Sequence, residues 1–150
     1  MDMGSVSLGM GKIHHTNKGI KQNETFSINI PSIDLVKKVD YCGLVSGENT
    51  DKASLFENFY GKLKTAPMIK NCPINMECKL IKVVDFPQHD IFIGKIVATY
   101  CDDECLTDGI VDFAKVRPIM FVMNDVDAGY WKLGDRFAGA WSIGKELKKS

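Results

Sequence analysis

The sequence predicts a mainly β fold of the α+β kind, built on antiparallel strands, and three observations carry that prediction. Apolar and polar residues alternate with a period of two at Thr25–Ile30 and Ile74–Leu80, and Ile91–Cys101 is a long run rich in β-branched and aromatic residues. Helical signals are few, short and set between the early strands. The 150 residues hold no internal repeat, low-complexity tract or linker-like stretch, so residues 1–150 read as one domain. This pattern describes a barrel or a sheet decorated by helices, not a doubly wound βαβ array.

Taken in order, Ser5-Val6-Ser7-Leu8 alternates as a first strand, which Gly9-Met10-Gly11 breaks. His14 to Asn23 fits a short helix with Thr16 or Asn17 as its cap. In Thr25–Ile30, Phe26, Ile28 and Ile30 alternate with Thr25, Ser27 and Asn29, giving one buried face, and Pro31 ends the strand. Ser32 caps a helix whose Leu35, Val36, Val39 and Cys42 form one stripe, with Gly43 and Gly47 at its end. Asp51 to Tyr60 reads as a further short helix and Gly61 to Pro73 as loop. Ile74, Met76, Cys78 and Leu80 then alternate with Asn75, Glu77 and Lys79, a half-buried strand with its polar face outward. A turn at Pro87-Gln88-His89-Asp90 leads into Ile91–Cys101, so these two strands should pair as an antiparallel hairpin. Gly94 marks a bulge or a close backbone approach. Asp108-Gly109 is a tight turn, Asp112–Val116 one helical turn, Pro118–Val122 and Tyr130–Leu133 strands, and Ser142–Lys149 a short basic tail.

Composition narrows the function classes. Nineteen acidic residues balance nineteen basic ones, so no global field draws the chain to nucleic acid or an anionic membrane. No apolar run approaches the ~20 residues of a bilayer span. Five cysteines, odd in number and irregularly spaced, with no signal-peptide pattern, point to reduced thiols and a cytoplasmic protein. Cys72-x5-Cys78 and Cys101-x3-Cys105 do not match zinc knuckles, and Cys78 reads as a core hydrophobe, so no metal is expected.

Several motifs fail on spacing. Gly9-Met10-Gly11-Lys12 lacks the phosphate-loop pattern, G-x-G-x-x-G breaks at His14, and Asp125-x-Asp127-x-Gly129 is not an EF-hand loop. The segment Gly9–Asn17 survives as a candidate. It follows a strand, opens a helix, and gathers backbone N–H groups, one ammonium, two imidazoles, a hydroxyl and an amide. That is the donor inventory of a phosphate site at a helix N-terminus. On the residues alone, a polar loop whose Thr caps the helix is the preferred account, and the phosphate site the alternative. Tyr130 and Trp131 read as core aromatics before ring-stacking ones, and Asp51-Lys52 as a helix cap before a ligand contact.

A set of short motifs, in order along nearly the whole chain, resembles the flavin reductase-like, flavoredoxin-type FMN-binding split barrels. They are Ser5-Val6-Ser7-Leu8 with Lys12 and His15-Thr16-x-x-x-Ile20; Phe26-Ser27-Ile28-Asn29-Ile30-Pro31; Asp40-Tyr41-x-Gly43-x-Val45-Ser46-Gly47; Asp51-Lys52; Ala66-Pro67-x-Ile69; Glu77-Cys78-Lys79-Leu80-Ile81; Phe92-Ile93-Gly94-Lys95-Ile96; Pro118; Tyr130-x-x-Leu133-Gly134; and Ala140-x-Ser142-Ile143-Gly144-Lys145.

The resemblance implies a split β-barrel with a few short helices, a homodimer, and one FMN per subunit near the dimer interface. It makes Lys12, His15, Thr16 and Asn17 the FMN phosphate ligands and so favours the phosphate site over the capped loop. It implies electron transfer or flavin reduction, with NAD(P)H or a redox protein as partner and no catalytic acid or base required. The chain departs from the family pattern in starting almost directly in a later strand. This implies an N-terminally truncated barrel whose isoalloxazine side lacks the family's opening strands and Trp-containing stretch. Ala53-Ser54 also stand where the family has an aromatic, with Phe56 the candidate to replace it. The rival expectation is a non-enzymatic or vestigial split-barrel binding module that has lost flavin.

Overall fold

The computed structural model describes residues 4–148; Met1–Met3 of the N-terminal stretch and Lys149 of the basic tail lie outside them. The chain runs β1 (Ser5–Gly11), α1 (Thr16–Asn23), β2 (Thr25–Ile30), α2 (Val36–Leu44), β3 (Asn58–Phe59), β4 (Met68–Ile69), β5 (Ile74–Asp85) and β6 (His89–Cys101). It continues through β7 (Leu106–Thr107), β8 (Ile110–Val111), α3 (Phe113–Val116), β9 (Ile119–Met123) and β10 (Ala128–Lys132). The main sheet has the order β1-β6-β5-β2, antiparallel throughout. The fold is mainly β with a few short helices, as the alternation predicts.

The expected β5–β6 hairpin forms around a short turn, and two irregularities in it decide which side chains share a face. Cross-strand partners lie on the same side of a sheet. Glu77 pairs with Ala98 but Cys78 with Ile96, leaving Val97 as the extra residue on β6; Leu80 pairs with Gly94 and Lys82 with Ile93, leaving Ile81 extra on β5. The first shift keeps Cys78 on the face of Phe92 while Glu77 joins Ala98 and Tyr100 on the other. The second returns Val83 to the Phe92 side.

One face carries the core. Phe26, Cys78 and Phe92 pack with Ile20 of α1, surrounded by Val6, Leu8, Met10, Ile28, Met76, Leu80 and Ile96. Gly94 is where the backbone must come close: a Cβ there would lie 2.5 Å from Phe26 Cζ. A second cluster joins Ile74, Cys105 and Val116 at the far end of the same sheet. On β6, Phe92 is fully buried, whereas Ile91, Ile93 and Val97 are half-buried.

The opposite face corrects the sequence reading. Asn75 and Glu77 are buried, because the segment between β3 and β5 lies across them. Polar side chains hold that segment down. Thr25 Oγ1 meets Thr65 Oγ1 at 2.8 Å, Ser27 Oγ donates to the Pro67 carbonyl, and Asn29 Oδ1 accepts from Ile69 N–H at 3.0 Å. Glu77 accepts from Lys62 N–H at 2.9 Å, Leu63 N–H at 2.6 Å and Tyr100 OH at 2.7 Å. Burial alone would raise the Glu77 pKa; these bonds outweigh it and hold the carboxyl below its ordinary range. Gly61 makes the contact sterically possible, since a Cβ there would sit 2.2 Å from Tyr100 Oη.

Other expectations hold or fail for local reasons. Asp108 and Gly109 both adopt positive φ, the geometry of a two-residue hairpin turn, and Asp112 caps α3 by accepting from Ala114 N–H at 2.9 Å. The helix expected over Asp51–Tyr60 is instead one 3₁₀ turn at Ala53–Leu55 followed by β3. Asp51 does start that turn, accepting from Ala53 N–H at 3.0 Å, but β3 then pairs with β4 and draws the chain into extended form. Neither Ser32 nor Thr16 caps through its side chain. None of the α2 stripe is fully buried. Tyr130 and Trp131 are not core, and Trp131 is 61% exposed.

Candidate functional site

A cleft of about 1010 Å³ opens between the loop after β1 and the segment after α2. His14, His15 and Thr16 line one wall; Ser46 to Lys52 line the other, with Met10, Ile13, Leu44 and Val45 adding apolar surface. Two features bring the walls together. The His15 ring lies against Gly47, and its Nδ1 stands 3.9 Å from Glu48 Oε1. Lys18 Nζ, from the first turn of α1, reaches Glu48 at 2.7 Å, and that ion pair holds the Glu48 pKa below its ordinary value.

The four residues expected at the phosphate have different surroundings. His15 and Thr16 are exposed and line the cleft. Asn17 is buried; its Nδ2 donates to the Gly11 carbonyl at 2.8 Å and the His14 carbonyl at 3.1 Å, so the side chain clamps the loop from beneath. This use of Asn17 explains why it does not cap α1. Lys12 is absent from the cleft lining. Its ammonium pairs with Asp85 and stands 3.8 Å from the buried Asp90, which Lys21 of α1 meets at 2.7 Å. The hydrogen bond to Asp85 raises the Lys12 pKa, and Lys12 in turn lowers that of Asp85. These four charges tie the loop and α1 to the tip of the β5–β6 hairpin.

The far wall, Ser46 to Lys52, showed in the sequence as two short motif matches, Val45-Ser46-Gly47 and Asp51-Lys52, the second weighed as a ligand contact and read first as a helix cap. Its partner across the cleft is thirty or more residues away in the chain, and no local periodicity signals that the two will meet. Cys72 and Cys78 have no place in the cleft; burial pushes both thiols up to about 11, which makes them poor nucleophiles at neutral pH.

Residues 3–121 match the family model of the flavin reductase-like domain. The chain belongs to that family. Among solved structures, flavoredoxin from Methanosarcina acetivorans superposes on this flavin reductase-like chain with a TM-score of 0.92 at 45% identity, covering 96% of this chain and 76% of that one. Flavoredoxin of Desulfovibrio vulgaris (Miyazaki F) follows at a TM-score of 0.85 and 37% identity, covering 94% of this chain and 76% of its own. An uncharacterised protein of Archaeoglobus fulgidus is 35% identical over 95 residues, 61% of this chain and 53% of its own length. The chain spans between 45% and 60% of the length of the first curated relatives it matches. These likenesses agree with the split-barrel expectation, the main sheet forming a curled half-barrel.

Proposed function

We propose that this flavin reductase-like chain, acting as a single domain, binds FMN in the cleft between the β1–α1 loop and Ser46–Lys52 and serves in electron transfer or flavin reduction. The observation that carries the reading is the donor set of that cleft. Thr16 offers a hydroxyl, His15 an imidazole N–H, and Ser46, Asn49 and Thr50 face them from the other wall. Asn17 contributes by holding the loop backbone, and Lys12 contributes charge from behind it. The apolar surface of Met10, Ile13, Leu44 and Val45 suits part of an aromatic ring.

Bound flavin supplies the redox chemistry, and the protein supplies binding, orientation and dielectric. The electron source in this reading is NAD(P)H or a redox protein. The five free thiols fit a reducing cytoplasm. Among the described residues no helix is long and apolar enough to cross a membrane.

The reading includes a homodimer. Its support is the large apolar surface the folded chain leaves exposed, including Phe121, Trp131, Phe137 and Trp141. An obligate interface would bury above roughly 2,000 Å² in total. Light scattering should give twice the chain mass at micromolar concentration; a monomer would overturn this part.

An absorbance spectrum of the purified protein tests the whole reading. Flavin bands are expected, or their appearance with quenched fluorescence on adding FMN. A protein that stays colourless with FMN is the vestigial module instead. Oxidation of NAD(P)H with free flavin then separates a reductase from an electron carrier.

A further inference from the structure

A second cavity, of about 320 Å³, opens where β3 and Lys70 meet the start of β5 and the end of β6, and it shares no lining residue with the cleft. Asn75 and Tyr100 are cross-strand partners, so their side chains share the face that lines it. Asn75 is 4% exposed, and its Oδ1 is buried without a hydrogen-bond partner. Its Nδ2 donates to the Cys72 carbonyl at 2.8 Å. A carbonyl only accepts, so the amide cannot turn over, and Oδ1 is the end of Asn75 left for the cavity. A buried acceptor with no donor is costly, so the site calls for one.

The surroundings specify the chemistry of that donor. Two carboxylates, Glu57 and Asp102, line the cavity with one ammonium, Lys70. Lys70 pairs with Glu57 at 2.5 Å, which neutralises both. Asp102 is left without a counterion among the described residues; residual desolvation and then the charges of Glu104 and Asp103 raise its pKa. Phe59 and Tyr100 supply apolar surface, their rings meeting edge to face with centroids 5.8 Å apart. The Tyr100 hydroxyl donates to Glu77 at 2.7 Å, so its proton is already committed. A cation beside such rings gains from their electron-rich faces. Among the described residues no group of three or more His, Cys, Asp or Glu is placed to hold a metal ion, so the cation this lining fits is organic.

We propose that this cavity binds a small organic ammonium ion, whose N–H groups meet Asn75 Oδ1 and the Asp102 carboxylate while its carbon part lies against Phe59 and Tyr100. The volume, at the small end of ligand pockets, suits one ring or a short chain. This site stands apart from the flavin cleft, and neither depends on the other.

Calorimetric titration of the full chain with three related guests tests the assignment. Benzylammonium should bind saturably. Benzyltrimethylammonium keeps the ring and charge without an N–H, and benzyl alcohol keeps the ring and a donor without the charge; each should bind at least about tenfold more weakly. Asp102→Asn should weaken benzylammonium about fivefold, whereas Asp135→Asn, at an exposed carboxylate outside the lining, should leave it within about twofold. Asn75→Ala should shrink the preference for benzylammonium over benzyltrimethylammonium to about threefold. Should Asn75→Ala unfold, the three guests on wild type and Asp102→Asn decide. No saturable heat at millimolar benzylammonium would mean a cavity that holds water alone and would overturn the site. Equal binding of benzylammonium and benzyltrimethylammonium, or equal losses in Asp102→Asn and Asp135→Asn, would overturn it as well.

Discussion

Two antiparallel hairpins of this chain, β5–β6 and β9–β10, are both rich in apolar residues and have opposite fates. In the first, Phe92 and Cys78 are wholly buried. In the second, Met120, Phe121, Val122 and Met123 are all between 44% and 71% exposed, and Trp131 is 61% exposed. The difference lies in what covers them. The β5–β6 hairpin has α1 on one face and the β3–β5 segment on the other, and β1 and β2 close its edges. The β9–β10 hairpin is held by Tyr130 OH against Asp40 at 3.2 Å and by the Phe121–Tyr130 ring contact. Apolar residues state a demand for burial, and among the described residues that demand is met for the first of these two hairpins and not for the second.

The sharpest way to break this comparison is to truncate a ring in each hairpin. Phe92→Ala should cost about 4 kcal/mol in urea unfolding, because a fully buried ring leaves a cavity. Phe121→Ala should cost under about 1 kcal/mol in the isolated chain. Equal losses would mean that β9–β10 packs as tightly as the sheet.

Glu77 tests the covered polar face. Replacing it with Ala leaves Tyr100 OH and two backbone N–H groups without their carboxylate, at a cost of about 3 kcal/mol. It also gives the fold a pH dependence. The carboxyl is held below its ordinary value of 4.5, so its contribution is fully present above that value and fades as pH falls through the lower, folded pKa. Acid titration of stability should therefore be shallower below pH 4.5 in Glu77→Gln than in wild type.

Gly94→Ala should cost about 2 kcal/mol, since the new methyl would lie 2.5 Å from the Phe26 ring. Asp112→Ala removes the α3 cap and should cost about 1 kcal/mol. The smallest effect sharpens the comparison from the other side. Trp131→Ala should change the unfolding free energy of the monomer by under about 0.5 kcal/mol. If the dimer reading holds, the same substitution should lower the mass seen by light scattering.

Much of the fold could be read in the chain because its signals are local. The alternation in Thr25–Ile30 placed a strand at its observed bounds, and Asp108-Gly109 marked its hairpin through the positive φ such a turn requires. Gly94 signalled a close approach that the Phe26 ring then filled. The cleft was half legible. His15 and Thr16 line it as part of one contiguous segment, while Ser46–Lys52 reaches it only through tertiary folding.

By itself, then, the sequence determined the strands, their turns and which side chains are apolar, because these follow from backbone sterics and side-chain period within a few residues. Tertiary structure decided which faces are covered. Alternation marks two sides of a strand but does not say which side meets water. Here Glu77 looked solvated and is buried, because the segment between β3 and β5 folds over its face. Trp131 looked like core and is 61% exposed, because no element among the described residues covers it. Lys12 looked like the cation of the site, and the fold brought Asp85 beside it and Lys52 into the cleft.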